Sequence, residues 1–455
     1  MLSPRLQLLR ESLQKLLRRG ADSHVERLLR RTRAADVAVV MRFLDERQQG
    51  RVFDFLPDDE ARADTLAELD DHLALDLIQG RPVPTLAPVI AAMSADDQAD
   101  ILSLLSEEMR GALIDALSSA DQEEVEDLLH YDPETAGGIM SPEFFALPSN
   151  TTASEAIVAL QQSDDVEMAF YIYVVNEPGH LVGVVSLRAL VTNPPSTALE
   201  NLMVSDVISA ATNTDQEEVA RLAARYNLLA IPVVDEANHL VGIVTIDDVI
   251  DVIREEATED ILKMAGADET AYETNSLLRN FRTRAPWLFA TWLGGLGASV
   301  LIGVFDQQLQ ATVALAAFIP IVLGMGGNVG IQTATIIVRG LATGRVSEGV
   351  GLQYLLRETA IGVLLGILYG CLIGVYTFVA YGHTEAVLQL SATVGISVLV
   401  SMATSAVVGA FTPLLFERMR IDPAIATGPI VTTSVDVLGI LVYFFTASLI
   451  LGVPT

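Results

Sequence analysis

The sequence predicts a multi-domain chain: an all-α superhelical N-terminal domain, an α/β tandem repeat, and an α-helical transmembrane domain of five spans. Three observations carry this. Apolar residues recur at spacings of three and four over the first 130 residues, a β-turn-β pattern returns 59 positions later, and five long apolar runs follow residue 285. The expected divisions are 1–130 for an acidic helical domain and 131–253 for the repeat, with copies at about 140–200 and 201–253. A connecting helix is expected at 247–275 and the membrane domain at 276–455.

Charge separates the two ends of the chain. From Leu277 onward eight arginines face seven acids, while the whole chain carries −30, so the residues before 277 hold 20 basic and 51 acidic groups, a net of −31. A soluble region that acidic repels itself unless counter-cations bind. This points to divalent cations as partners and against nucleic acid, for which no basic face is left. The first forty residues are locally Arg-rich (Arg5, Arg10, Arg18, Arg19, Arg27, Arg30, Arg31, Arg33), in a spacing that suits solvated helix faces paired with acids. The single cysteine, Cys371, excludes a disulfide within the chain and a thiolate metal site. The first twenty residues have no apolar core of the length a signal peptide needs, so the soluble part is expected to stay in the cytoplasm.

In order, residues 1 to about 130 read as short helices. Their starts are marked by Pro57-Asp58-Asp59-Glu60, Ser94-Ala95-Asp96-Asp97, Ser106-Glu107-Glu108 and Ser119 with Gln122. Such a succession suggests a right- or left-winding stack of helix pairs, an interaction domain by its pattern. Next, 171–186 (YIYVVNEPGHLVGVVS) matches 230–245 (AIPVVDEANHLVGIVT), each as strand, turn, strand and helix, with a helix before it from Ser154 or Asp215. This resembles a tandem pair of CBS domains over about 140–253. The resemblance implies adenine-nucleotide binding, with an Asp three residues after a Ser or Thr on the ribose. The second copy keeps it in Thr245-Ile246-Asp247-Asp248, which makes Asp248 the ribose contact for ATP; the first has Ala189 there, after Ser186-Leu187-Arg188.

After the repeat, Val249, Ile250, Ile253, Ala257 and Ile261 make one helical stripe, with acids on the other faces. A solvated linker helix would need no such density of acid, and its position before the membrane domain suits a gate. The five spans are expected at 285–305, 311–338, 359–381, 387–416 and 423–452. Arg279, Arg282 and Arg284 precede the first, Arg339, Arg345 and Arg357 separate the second and third, and Arg418 and Arg420 separate the fourth and fifth. The loops at 306–310 and 382–386 carry no Lys or Arg, so the basic loops share the soluble domains' side and the C-terminus ends outside.

The fifth span holds one acid. Asp436 stands about fourteen residues from Asp422 and fifteen from Leu451, or some 21 Å from either end at about 1.5 Å per residue. A central Asp costs about 2.5–3.5 kcal/mol on insertion scales and must be compensated, either as a protonated group bonded to a neighbouring helix or as a cation site. The second span carries Gly324, Gly326, Gly327 and Gly330 beside Asn328, Gln332, Thr333 and Thr335. Glycines there permit tight helix packing or backbone that lines a wet cavity. With Thr432, Thr433, Ser434 and Asp436 in the fifth span, two polar-lined helices look like a pore wall.

Gly-Gly-Asn-x-Gly-x-Gln in the second span, Asp-Pro-Ala and an acid in the fifth, a CBS pair and an acidic helical N-domain together resemble the MgtE family of magnesium channels, over essentially the whole chain. The resemblance implies a homodimer in the cell (inner) membrane, its pore on the two-fold axis and the acidic helix as a plug. It implies that Asp436 of both subunits holds hydrated Mg2+, with Gly326, Gly327, Asn328 and Thr432 lining the path. The regulatory Mg2+ positions it implies are Asp96 and Asp100; Asp215, Glu217, Asp248 and Asp251; Glu256, Glu259 and Asp260; and Asp422, with carbonyls of Gly137 and Ala224. Asn227 replaces an acid usual in the family, and some members carry Asn where Ile331 and Gly428 stand. Bound Mg2+ would bridge these faces and close the pore; scarce Mg2+ would let like charges loosen it.

The chemistry suits that ion. Mg2+ dehydrates reluctantly, so two carboxylates with scattered carbonyls and hydroxyls can hold it through its waters. Softer metals would call for His or Cys, and the six histidines (24, 72, 130, 180, 239, 383) lie outside the spans. The competing readings are a proton-coupled or broader divalent-cation (Mn2+, Co2+) secondary transporter regulated by nucleotide at the repeat. An enzyme is not expected, since no phosphate loop, GxSxG elbow or HExxH pattern occurs.

Overall fold

The computed structural model describes residues 3–163, 170–177, 179–267, 277–346, 349–382 and 386–452. Residues 268–275 of the expected connecting segment, Pro178 of the first hairpin and His383 lie outside the described residues. Two compact units result, 1–253 and 254–455.

The first unit opens with helices α1 (Pro4–Arg19), α2 (Asp22–Leu29), α3 (Ala34–Met41), α4 (Glu46–Asp54), α5 (Asp59–Ala67), α6 (Asp71–Ile78), α7 (Val83–Ile90), α8 (Ala95–Ser103), α9 (Glu107–Ile114) and α10 (Ser119–Leu128). From α3 on, the cap residues Arg33, Asp45, Asp58, Asp70, Pro82, Ser94, Ser106 and Ser118 recur every twelve or thirteen positions. The residue before most caps is an inward Leu or Met: Leu44, Leu69, Met93, Leu105 and Leu117 are buried. Each helix therefore packs on the next but one, α3 on α5, α7 and α9 in one row and α4 on α6, α8 and α10 in the other. Asp58 caps α5 through the Ala61 amide, as its sequence predicts. The α10 start moves by one residue: Ser118, not Ser119, accepts from the Asp121 amide.

Each repeat copy forms a three-stranded sheet. Strand β1 (Ala146–Pro148) runs parallel to β2 (Tyr171–Val175), which pairs antiparallel with β3 (Leu181–Ser186); β4 (Ala210–Ala211), β5 (Ala230–Val234) and β6 (Leu240–Thr245) repeat the arrangement. Even the irregularity is duplicated, between Val174 and Val175 and between Val233 and Val234. Helices α11 (Ala153–Gln161), α12 (Leu187–Thr192) and α13 (Gln216–Tyr226) cover the sheets. The leading segments exchange partners: Ser141 pairs with Ile243 of the second copy, Val204 with Val184 of the first. The hairpin tips meet at His180 and His239, whose rings stack with centroids 4.7 Å apart.

Helix α14 (Ile246–Met264) leaves the second copy. Its expected apolar stripe does not form one buried face: Val249 is buried, joined by Val252 from outside the stripe, whereas Ile250, Ile253 and Ile261 are exposed.

The second unit contains five helices long and apolar enough to cross a membrane: α15 (Leu277–Val304), α17 (Ala314–Ala342), α18 (Gly351–Ala380), α19 (Val387–Arg418) and α21 (Pro429–Leu451), with short α16 (Asp306–Ala311) and α20 (Ala424–Thr427) between. Helix α19 is the centre of the bundle, packed on α17, α18 and α21. The fifth span departs from expectation. It does not run unbroken from 423; the chain breaks at Gly428 and α21 starts afresh at Pro429, which lacks an amide hydrogen and suits a first helical position. Asp436 therefore lies about 10 Å from the start of α21 and about 22 Å from its end, displaced from the middle toward the basic-loop side.

Candidate cation sites

Helix α17 packs against α19 and α21 through its glycines. A side chain at Gly326 would strike Ser401 Oγ and Ser405 Oγ at 2.7 and 3.0 Å, and one at Gly330 would meet Val435 at 3.0 Å. Gly330 and Gly409 touch backbone to backbone: a Cβ on Gly409 would stand 2.3 Å from the Gly330 carbonyl oxygen. Gly326 is thus buried at a close packing point inside the bundle. The same packing fixes the level of the polar groups. Val435, against Gly326 and Gly330, precedes Asp436, and Asn328 sits between those two glycines. Asn328 and Gln332 are exposed, while Gly327, Thr432 and Asp436 are half-buried. Among the described residues the Asp436 carboxylate has no hydrogen-bond or ion-pair partner. Thr432 donates its hydroxyl to the Gly428 carbonyl at 2.9 Å. Thr433 turns to α15, where it fills the space over Gly294. Glu358, buried near the start of α18, is a further acid that the sequence reading missed by beginning that span at 359.

The end of α14 carries a second cluster. Lys263 Nζ lies 2.5 Å from Glu259 Oε1 and 2.6 Å from Asp422 Oδ2, and Asp422 Oδ1 accepts from the Ala424 amide to start α20. Burial raises the pKa of the neighbouring Asp260, and the charges of Asp422 and Glu259 raise it further against Lys263 and Arg339. Burial pulls the Lys263 ammonium the other way, yet its hydrogen bonds to Asp422 and Glu259 outweigh this and hold it charged. Glu256 lies on the same helix, half-buried.

A third cluster forms inside the first unit. Ala95 and Ala99 of α8 belong to the same core as Val249 and Val252 of α14, and several acids of these helices and α5 lie within electrostatic reach of one another. Burial pushes the Asp97 carboxyl up to about 6, aided by Asp96 and by Asp247 and Asp64, against a 2.8 Å hydrogen bond from Ser94. Burial also raises Glu68, with Asp251, Asp64 and Asp247 beside it and Arg42 opposing. Asp96 is buried and its Oδ1 has no partner among the described residues. Asp247 and Asp248 both lie against the one Thr245 hydroxyl, at 2.5 and 2.6 Å. Of the predicted residues, Asp96 and Asp251 come together here; Asp100 is exposed on α8. Asp64, Glu68, Asp97 and Asp247 were missed, and only the acid-rich starts of α5, α8 and α14 signalled them. Asp215 caps α13 and accepts from the Glu217 amide, and the backbone after Thr135 brings buried Gly137 near that helix start, while Ala224 is at the other end. Among the described residues no three acidic or imidazole side chains converge tightly enough to chelate an ion directly.

Known proteins place the arrangement. The family profile described as "Divalent cation transporter" (MgtE) matches residues 319–446, the MgtE intracellular N domain matches 32–134, and the CBS domain matches 136–195 and 199–255. A magnesium transporter MgtE of Thermus thermophilus is 35% identical over 446 residues, 97% of this chain and 98% of that protein. The chain belongs to the MgtE family. A Bacillus subtilis MgtE is 33% identical over 94% of both chains. The soluble part of a magnesium transporter superposes with TM-score 0.50 at 32% identity, covering 55% of this chain and 99% of that one. The cytosolic domain of the Mg2+ channel MgtE in complex with ATP gives TM-score 0.51 at 36% identity, covering 53% and 99%.

Two MgtE features read differently in this chain. Ile331, where the family resemblance implies Asn in some members, is an exposed apolar side chain one turn from Asn328. A cleft of about 490 Å3 opens at the first CBS copy, lined by Phe170, Tyr171, Ser186, Leu187, Arg188, Val191, Thr192 and Leu229. It offers aromatic and aliphatic walls for a base and one guanidinium for phosphate, but Ala189 supplies no carboxylate for a ribose, and the Ser186 hydroxyl is spent capping α12 at the Ala189 amide. Asp248, the expected ribose contact, belongs to the second copy and is bonded to Thr245.

Proposed function

We propose that the chain is a Mg2+ channel of the cell (inner) membrane, acting as a homodimer and closed by cytoplasmic Mg2+. Two Asp436 carboxylates meet on the two-fold axis and hold the hydrated ion, with Asn328, the Gly327 backbone and Thr432 contacting its waters. The observation that carries this reading is the half-exposed, unpartnered Asp436, which follows the Val435 that packs on Gly326 and Gly330 either side of exposed Asn328. A lone membrane-embedded acid of that kind marks an ion pathway. Exposed Ile250, Ile253 and Ile261 on α14 support a second copy as cover. The loop arginines place the N-terminal and CBS domains in the cytoplasm and the C-terminus outside.

Closure follows from the acids. Mg2+ bound at Asp96, Asp100 and Asp251, at Asp215 and Glu217 with the Gly137 carbonyl, at Asp248 and the Ala224 carbonyl, and at Glu256, Glu259, Asp260 and Asp422 neutralises faces that otherwise repel. ATP in the cleft at Arg188 is a further ligand of the CBS pair. Mg2+ uptake into reconstituted vesicles tests the pore. Asp436→Ala and Asp436→Asn should both lose flux, the second while keeping the fold; full flux in Asp436→Asn removes the charge from the mechanism. Flux that follows an imposed pH gradient, or equal passage of Mn2+ and Co2+, would replace the channel by the coupled or broader transporter.

A further inference from the structure

Lys263 stands where a cation belongs. Its ammonium lies between Glu259 of its own helix and Asp422, 159 residues later, and it is only about a quarter exposed. The backbone after it is seated as well: Gly266, at φ +68, lies against Trp287 and Pro429, and Gly428 faces the Met264 carbonyl. A positive φ of this kind lets the chain turn off the end of α14 directly onto the junction of α20 and α21. Asp422 is itself fixed by the Ala424 amide, so the ion pair joins α14 to the break that starts the span bearing Asp436.

The charges are nearly but not fully balanced. Glu259, Asp260 and Asp422 contribute three negative charges, and Lys263 with Arg339 returns two. A hydrated dication is drawn to the same carboxylates, and one ammonium on a flexible stem is the group it can displace. We propose that Lys263 is a tethered stand-in for Mg2+: it holds α14 on the α20–α21 junction when the ion is scarce and is displaced when the ion binds. Lys263 thus sets how far the gate loosens without Mg2+ and how much Mg2+ is needed to close it. This rests on the gating reading above and names a residue that tunes it.

Hydrogen exchange of the 254–264 amides in the full chain, in lipid discs, tests this with Mg2+ itself as the probe. In EDTA, Lys263→Met should exchange about tenfold faster than wild type, as expected for losing a partly buried double ion pair, and Lys263→Arg should stay close to wild type. At saturating Mg2+ all three should be equally protected, because the ion then occupies the carboxylates. Equal exchange of Lys263→Met and wild type in EDTA overturns the proposal. So does fast exchange of Lys263→Met at saturating Mg2+, which would make the lysine a structural strut. Wild-type exchange that ignores Mg2+ refutes the gating reading instead, and the EDTA comparison still decides whether Lys263 tethers the helix.

Discussion

Replacing Asp97 by Asn should remove most of the pH dependence of the α8–α14 contact between pH 5 and 8. Burial and Asp96 lift this carboxyl from an ordinary 3.8 to about 6. Its folded pKa lies above the unfolded one, so its contribution to stability is complete below about pH 4 and is lost as pH climbs through about 6. At pH 7.5 the ionised group opposes the contact by about 3 kcal/mol, since each tenfold step is about 1.4 kcal/mol. Asn keeps the acceptor for the Ser94 hydroxyl and removes the charge. Hydrogen exchange of the α8 amides in the full chain, in EDTA between pH 5 and 8 and corrected for the intrinsic pH dependence of exchange, reads the local opening. Wild type should lose protection by about tenfold across that range, most of it between pH 5 and 6, and Asp97→Asn should lose little. Equal protection of the two at pH 8 would show that repulsion at Asp97 does not govern the contact.

Other outcomes follow from the same geometry. Gly409→Val should abolish the folded membrane unit, seen as loss of a monodisperse species in detergent, because its Cβ would collide with the Gly330 backbone, which cannot rotate away. Asp422→Asn should raise Mg2+ influx at high internal Mg2+ severalfold, since both Lys263 and the ion lose a shared carboxylate. Arg188→Ala should weaken nucleotide binding at the first-copy cleft about tenfold or more by calorimetry, and ATP and 2′-deoxy-ATP should bind wild type alike, because no carboxylate reads the ribose there. Discrimination of more than about tenfold between them would mean another residue takes that role.

The architecture was legible because each layer has its own period: three and four in the helical domain, 59 between the CBS copies, unbroken hydropathy in the spans. A twelve-residue repeat of cap and preceding Leu was equally present in the sequence and went unread, which misplaced the α10 start by one residue. The break at Gly428 was signalled by Pro429, yet the apolar run on either side hid it, and Asp436 was set too near mid-span. Gly326 and Gly327 are neighbours in a helix and so point in different directions, one into Ser401 and the other into open space. Composition cannot separate two such residues; only the packing of α19 does. Asp64 and Glu68 were out of reach for a similar reason, since their meeting with α14 is made by the stacking of α5 on its neighbours rather than by anything local.

The acids gathered near Asp97 and Glu68 also separate two kinds of cation response. If Mg2+ acted only by screening, any salt of equal ionic strength would replace it, and at about 0.15 M the screening length is already about 8 Å. A few millimolar Mg2+ then adds almost nothing to the screening. A hydrated dication bridging Asp96 or Asp97 to Asp247 or Asp251 instead neutralises carboxylates that are buried (Asp96) or half-buried (Asp97), which bulk salt screens less than exposed ones. Protection of the α8 amides should therefore rise with millimolar MgCl2 in a background of 0.15 M KCl and stay flat when more KCl is added to the same ionic strength. Equal responses to the two salts would reduce the site to diffuse screening, and the gate would then have no means of telling Mg2+ from the potassium around it.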